Sequence, residues 1–323
     1  MDDEVKELME KAEQGDDEAQ CELAERYAYG DGVDIDVRKE FFWYMEALER
    51  GSREAGTMLK KLFDGTDDEW WEEAGLVREL FEKAFSTYTE AAERGDLRKQ
   101  KRLAAMYRDG IYVGEDREKA FHWYLKAAEQ GDRDAQCETA CYYSCGIGTE
   151  KDLEKAAYWY ECAAKKGNKE AQQELGFMYE YGKGVPQDDE KAFYWYSKAA
   201  KCSDCNKWKV ATFYDEGRGV AQDRKKAFEL YLSSAKDGLM NAALPLGKMY
   251  EEGEVTEKNI EQAIYWYERC ANMDDGEAEY RLGLIYENGD GVPADMKKAV
   301  SWYKKAVKDG SAEAKARLEQ LKQ

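Results

Sequence analysis

A pair of aromatic markers recurs along this chain at a nearly constant interval. In seven places a Tyr stands sixteen residues before a Trp-Tyr dipeptide, with Leu replacing the Trp once. From Trp123 onward, successive dipeptides are 35 or 36 residues apart. A period of this length predicts an array of small repeated units rather than one compact domain. The marker pairs are Tyr27 and Trp43, Tyr107 and Trp123, Tyr143 and Trp159, Tyr179 and Trp195, Tyr214 and Leu230, Tyr250 and Trp266, and Tyr286 and Trp302.

Each repeat has the pattern of two helices joined by a glycine turn. Before the turn, small and apolar residues recur at every fourth position, as at Ala171, Leu175 and Tyr179. This spacing places them on one helix face, here called the inward face of helix A. The turn itself contains two glycines, as in 182–185, and glycine readily takes the positive φ that ends a helix. The segment 191–200 then predicts a second amphipathic helix, helix B.

The combined pattern resembles the Sel1-like repeat (SLR), a relative of the tetratricopeptide repeat. It runs A-x-x-x-L-G-x-x-Y-x-x-G-x-G-V and then K-A-x-x-W-Y-x-K-A-A-x-x-G, most clearly over 171–200, and it extends from about Gly15 to Gly310. The resemblance implies an all-α, right-handed α/α superhelical solenoid. It also implies an adaptor that binds other proteins, with no catalytic residue among the matched positions.

The repeat markers predict one solenoid domain over 1–323. A leading helix over 3–14 and a closing helix over 311–323 would cover the ends, because an open stack exposes apolar faces. Eight repeats would fill 15–310, with an irregular insertion at 64–76 in the second. The expected repeat starts lie near Gly15, Gly51, Gly95, Gly131, Gly167, Cys202, Gly238 and Asp274.

The sixth and seventh repeats depart from the pattern. The sixth has Asn206 and Val210 where Ala and Leu are usual, and Leu230 in place of Trp. The seventh places Pro245 inside the expected helix A. Because proline lacks an N–H and clashes with the preceding turn, this helix should kink or begin late, near Ala243.

The charge balance narrows the class of partner. Acidic residues number 69 against 49 Lys and Arg, a formal net charge of −20, which disfavours nucleic acid and anionic membranes and favours a partner with a basic patch. Acidic runs such as 16–18 and 188–190 are expected at helix starts. The N-terminal sequence lacks a signal-peptide pattern and no stretch is long and apolar enough to span a membrane, so a soluble, cytoplasmic protein is expected.

Catalytic, metal and cofactor sites are not expected. His122 is the only histidine, and it precedes Trp123 on a predicted helix, as an ordinary surface or packing residue would. Cys137, Cys141 and Cys145 recur at every fourth position, and Cys202 and Cys205 form a C-x-x-C. Without further converging ligands, both groups favour small filler residues over a zinc site. The cysteines also fall at different repeat positions, so no structural disulfide is expected.

Trp70 and Trp71 break the repeat, and two interpretations remain open. If these indoles face solvent they would form a binding patch, and if they fold back they would cover the irregular second repeat.

The expected binding surface lies opposite the inward face of helix A. Residues two positions later on the helix point about 200° away, and this face should line a concave groove. Trp208 is the expected aromatic anchor, with packing against the neighbouring repeat as the alternative. The function predicted is a protein- or peptide-binding scaffold, and the alternative is a regulatory subunit or inhibitor that masks an enzyme. The face comprises Lys101, Cys137, Cys141, Gln173, Phe177, Trp208, Lys248 and Tyr280.

Overall fold

The computed structural model describes residues 3–64, 71–110, 113–201 and 206–321, with backbone alone at 3, 63–64 and 71–78. In these ranges all regular structure is helical: eighteen α-helices, one short 3₁₀-helix and no strand. The all-α prediction is therefore confirmed. Close contacts divide the chain into an N-terminal unit, residues 1–168, and a C-terminal unit, residues 169–323.

The N-terminal unit contains nine described α-helices. The helices are α1 (Asp3–Glu13), α2 (Asp17–Tyr29), α3 (Val37–Arg50), α4 (Arg53–Asp64), α5 (Trp71–Glu93), α6 (Leu97–Asp109), α7 (Arg117–Glu129), α8 (Arg133–Cys145) and α9 (Leu153–Lys165).

The C-terminal unit contains the other nine described α-helices and the 3₁₀-helix Met240–Ala242. The helices are α10 (Lys169–Tyr181), α11 (Asp189–Ala200), α12 (Lys207–Glu216), α13 (Arg224–Lys236), α14 (Ala243–Glu252), α15 (Ile260–Ala271), α16 (Gly276–Asn288), α17 (Met296–Lys308) and α18 (Ala312–Gln320).

Acidic residues begin many of these helices, as the sequence predicted. The Asp16 carboxylate accepts the Ala19 N–H at 3.0 Å, and the Asp188 carboxylate accepts the Lys191 N–H at 2.9 Å. Each bond satisfies a backbone donor that the first helical turn leaves without a partner. These parts of the acidic runs therefore serve the fold.

The glycine turns fit their surroundings through two different properties of glycine. Gly217 ends α12 in the left-handed conformation, with φ of +70°, and its N–H donates a hydrogen bond to the Phe213 carbonyl. Gly219 lies directly on the start of α11, where an added Cβ would be 2.1 Å from the Asp189 carbonyl oxygen. The first glycine supplies the conformation and the second allows the close approach.

The Tyr of each Trp-Tyr dipeptide lies in the core. Tyr196, Tyr231, Tyr267 and Tyr303 are all fully buried, so the second residue of the dipeptide belongs to the interior. The glycine before the helix A Tyr makes room for these rings, since a Cβ at Gly247 would lie 2.4 Å from the Tyr267 ring.

The helix A tyrosines are less buried than predicted. Tyr27 is buried, but Tyr179 and its equivalents in the later repeats are half-buried. Except at Tyr250, where Gln262 replaces the Lys, their rings lie under the Lys near the start of helix B; the Lys191 Nζ is 5.1 Å from the centre of the Tyr179 ring. A cation above the ring covers it without full burial.

Candidate partner-binding groove

The two irregular repeats of the C-terminal unit border an open groove of about 770 Å³. Its walls come from α12, α14 and the 3₁₀-helix before α14, with further residues from α13, from the end of α15 and from the segment between α15 and α16. We call this surface the Trp208 groove. The apolar and sulphur-containing residues that line it are Trp208, Tyr231, Met240, Leu244, Pro245, Met249, Cys270 and Met273.

Pro245 accounts for the shape of one wall. Helix α14 begins at Ala243, two residues before the proline, and a 3₁₀ turn over Met240–Ala242 precedes it, so the predicted late start is confirmed. In the regular eighth repeat, α16 already begins at Gly276, the position equivalent to Met240. The 3₁₀ turn therefore replaces the first α-helical turn, and Met240 lines the groove from there.

The helices on both walls are short and begin without a side-chain cap. Helices α12 and α14 each have 10 residues, whereas α10 and α16 have 13. Among the described residues, Asn206 at the start of α12 and Ala242 at the start of α14 provide no side-chain hydrogen bond. In contrast, the Asp275 side chain caps the start of α16. The sequence irregularities of the sixth and seventh repeats thus coincide with the groove.

Trp208 both packs and lines the groove. The side chain is half-buried and packs against the core cluster that contains Tyr231 and Leu246. The Lys209 Nζ lies 5.0 Å from the centre of its ring. The two interpretations of Trp208 are therefore compatible, because part of the indole contacts the core and the rest faces the groove.

The groove carries more acidic than basic side chains. Its lining includes Asp215, Glu216, Glu252 and Asp275 against Arg224 and Lys248. The Arg224 guanidinium donates to Asp215 at 3.1 Å and to Glu252 at 2.8 Å, and also bonds Glu254. The hydrogen bond to Glu252 contributes most to raising the pKa of Arg224.

The second cation of the lining is also paired. The Lys248 Nζ lies 2.6 Å from a Glu277 carboxylate oxygen. Glu216 in turn lies 3.2 Å from the Arg218 guanidinium, which also binds Asp189. The cations of this region are thus already engaged with carboxylates of the chain itself.

Two of the predicted site residues, Trp208 and Lys248, meet in the groove. The others of the C-terminal unit do not line it. Gln173 accepts a hydrogen bond from Asn206 at 3.1 Å, and Phe177 packs against Tyr181 with ring centres 4.7 Å apart. Tyr280 packs against the buried Tyr303, with ring centres 5.7 Å apart.

The remaining predicted site residues lie in the N-terminal unit. Lys101 pairs with Asp132 at 2.9 Å. Cys137 is buried, so its expected place on an open face is wrong, whereas Cys141 is half-buried. Trp70 lies outside the described residues, as does the side chain of Trp71, whose backbone begins α5.

Sequence reasoning missed most of the apolar lining. Met240 and Leu244 belong to the irregular start of the seventh helix A, and Met273 follows α15. Pro245 was the sequence feature that could have indicated these residues, since a proline that shortens a helix changes which neighbouring side chains reach the surface.

The histidine and the cysteines were the other candidates for catalysis or metal binding. His122 is exposed and lies edge-on to Trp123, with ring centres 5.3 Å apart. The structure shows no disulfide at the six cysteines that it describes, and the C-x-x-C pair Cys202 and Cys205 lies outside the described residues. Within the described ranges there is no cluster of three or more His, Cys, Asp or Glu placed to hold a metal ion. No helix in the same ranges is long and apolar enough to cross a membrane.

Comparison with known proteins identifies the repeat. The family model for the Sel1 repeat matches residues 17–52, 100–132, 133–168, 169–204, 208–239, 241–275 and 276–311. These are seven of the eight predicted repeats, and the helix pair α4 and α5 lies outside them. Among curated proteins, none matches the sequence.

Two solved structures are similar over nearly the whole chain. One is c5321, described as a protective antigen of uropathogenic Escherichia coli strains with an SLR fold; it is 30% identical with a TM-score of 0.71, over 98% of this chain and 67% of that one. The other is a Sel1 repeat protein from Oxalobacter formigenes, 29% identical with a TM-score of 0.62, over 99% of this chain and 91% of that one. The chain therefore belongs to the Sel1 repeat family, whose members are generally non-enzymatic scaffolds for protein interactions.

Proposed function

We propose that this protein is a non-catalytic scaffold that holds a segment of a partner protein in the Trp208 groove. The observation that carries the proposal is the position of Trp208 beside Leu244 in an open groove of about 770 Å³. This volume lies within the range of about 300–1,000 Å³ that is typical of sites for small ligands. The groove therefore suits a short segment of a few residues rather than a whole folded domain.

Trp208 has the properties of an anchor for such a segment. Buried aromatic side chains contribute much of the energy at protein interfaces, and Trp is enriched among the strongest contributors. Because the indole already packs against the core, a partner would order few additional degrees of freedom when it binds. Met240, Met249 and Met273 add flexible sulphur-containing side chains that adapt to a ligand's shape.

The proposed site is narrower than the face predicted from the sequence. It retains Trp208 and Lys248 and adds Leu244 and the methionines. The irregular positions of the cysteines, with no disulfide at the six that the structure describes, favour a reducing compartment such as the cytoplasm for this interaction.

Affinity capture from a lysate of the source cells, followed by mass spectrometry, tests the proposal. The bait would be the full chain, a Trp208→Ala variant, and the control Tyr194→Ala. Tyr194 is 50% exposed on α11 of the same unit and does not line the groove. We expect at least one protein to bind the wild type and the control but to be lost with Trp208→Ala.

Equal capture by all three baits would contradict the proposed site. Circular dichroism of each bait would establish that the variants are folded. If the captured partner is an enzyme and the wild-type chain lowers its activity, the interaction is inhibitory, which is the alternative function that the sequence left open.

A further inference from the structure

We infer that the segment held in the Trp208 groove is basic, with one apolar anchor residue flanked by Lys or Arg. This inference rests on the proposed function and adds the chemistry of the partner. It follows from the combination of an apolar floor with a rim of carboxylates.

The apolar residues of the groove, its floor, determine which residue of the partner can serve as the anchor. Trp208, Leu244 and Met240 come from three neighbouring backbone segments and face the same cavity. Beneath them, Met249 and Cys270 are nearly fully buried, at 1% and 4% exposure. A Leu, Met or Phe of the partner would remove apolar surface from water on both molecules, at about 25 cal/mol per Å² of buried area.

The rim determines the charge of the flanking residues. Asp215 and Glu216 lie in the last turn of α12, and Glu252 lies in the last turn of α14. Neither helix has a basic residue in that turn, so the partial negative charge of each helix C-terminus adds to the carboxylates. Asp275, which caps the start of α16, contributes a fourth carboxylate to the lining.

The two cations that line the groove do not balance its four carboxylates. Glu216 is paired with Arg218 from outside the lining, but that guanidinium also binds Asp189. Arg224 binds Asp215, Glu252 and Glu254 together, so three carboxylates share one positive charge. Lys248 is paired with Glu277, a residue outside the lining. A concave surface with excess negative charge concentrates the electrostatic potential and attracts cationic side chains.

A display library of random twelve-residue peptides, selected against the full chain, tests the composition of the segment. Peptides that also bind Trp208→Ala are subtracted. We expect the remaining peptides to contain an apolar residue with at least two Lys or Arg nearby. Enrichment of acidic or uncharged peptides, or no peptide that depends on Trp208, would overturn the inference.

Opposite charges at one position test the electrostatic part. Met273 lines the groove and is 64% exposed, so Met273→Lys and Met273→Glu should both fold and should lose the same methionine. Fluorescence anisotropy with the most enriched peptide should show Met273→Lys binding at least about fivefold more weakly than Met273→Glu, and the difference should shrink at high salt.

Met296 provides the matched control. It is 48% exposed at the start of α17 and does not line the groove. Met296→Lys and Met296→Glu should differ by less than about twofold, because solvent and salt screen a charge outside the site. Equal affinities of the two Met273 variants would overturn the basic-segment inference. A lysate partner that still requires Trp208 would then leave the proposed scaffold function standing.

Discussion

The Tyr267 hydroxyl of α15 donates a 2.6 Å hydrogen bond to the Glu251 carboxylate of α14. Glu251 also accepts a 3.0 Å hydrogen bond from Arg281 on α16. One carboxylate therefore connects the two helices of its own repeat to the first helix of the next. The same link recurs in two other places of the C-terminal unit, as Tyr196, Glu180 and Lys209 and as Tyr303, Glu287 and Arg317.

Removal of one hydroxyl should measure the strength of this link. We expect Tyr267→Phe to lower the free energy of unfolding by about 1–2 kcal/mol, because it leaves the partly buried Glu251 with one partner fewer. Tyr44→Phe is the matched control. Tyr44 is equally buried, and no described group lies within hydrogen-bond distance of its hydroxyl. Urea denaturation followed by circular dichroism would compare the two, and equal losses would show that the hydrogen bond contributes nothing specific.

A second contact recurs between repeats, and a glutamate replaces its usual glutamine in the eighth repeat. The buried Gln20, Gln100 and Gln136 side chains each donate to a carbonyl eight residues earlier, in the preceding helix, at 2.9, 2.9 and 3.2 Å. Glu279 is the equivalent residue of the eighth repeat and is only 2% exposed. Burial, reinforced by the neighbouring Asp309 carboxylate, raises the pKa of Glu279 to about 7.

This carboxyl group should make stability depend on pH. Because the folded-state pKa lies above the ordinary value of 4.5, the folded chain binds more protons than the unfolded chain between these values. Stability should therefore fall as pH rises from about 4.5 to about 7, and the loss should be complete above that range.

The Glu279→Gln variant should remove the loss of stability that ionisation of the buried carboxyl causes. Its amide could donate to the Ala271 carbonyl, as the equivalent glutamines do eight residues back, so we expect about 1–3 kcal/mol of stabilisation at pH 8 and less at pH 4.5. Glu319→Gln, an exposed substitution on α18, is the control. Thermal melts of both variants and the wild type at the two pH values would test this. An effect of Glu279→Gln that does not change with pH would contradict the raised pKa of Glu279.

The periodicity of the sequence predicted much of the fold, but it did not predict most of the residues that line the groove. Residue spacing determines which face of a helix a side chain occupies, so Leu175 was correctly expected on an inward face, where it is buried. Pro245 in turn correctly predicted the start of α14 near Ala243. Spacing does not determine where the neighbouring helix begins. Tyr280 was expected in the groove by its position on helix A, yet Tyr303 lies close enough to pack against it. Met240 was missed because it belongs to a 3₁₀ turn that a regular template lacks.

Cysteine reactivity should follow burial in the native protein. Cys145 is exposed, whereas Cys270 is 4% exposed and burial raises its pKa to about 12. Because the thiolate is the reactive form, iodoacetamide at pH 8 should modify Cys145 before Cys270. In denaturant without reductant, all eight cysteines of the chain should be alkylated, as intact mass would show. Fewer than eight modifications would reveal a disulfide and contradict the expectation of free thiols.

Pro245 should control both the start of α14 and the shape of the groove. In a full α-helix its ring would clash with the Asn241 carbonyl, four residues earlier, and it has no N–H to donate there. Replacement by Ala restores the donor and removes the clash, so the 3₁₀ turn Met240–Ala242 should join α14. Hydrogen exchange over residues 239–247 should slow, and partner binding should weaken because Met240 and Asn241 move from the groove wall.

Pro293→Ala is the control for this last variant, because Pro293 lies in the loop between α16 and α17 rather than in a helix. It should leave exchange over 239–247 and partner binding unchanged. If Pro245→Ala also leaves exchange in this segment unchanged, the late start of α14 has another cause. The missing side-chain cap at Ala242 would then be the remaining explanation, and Ala242→Asp would test it by supplying the carboxylate that starts most other helices of the chain.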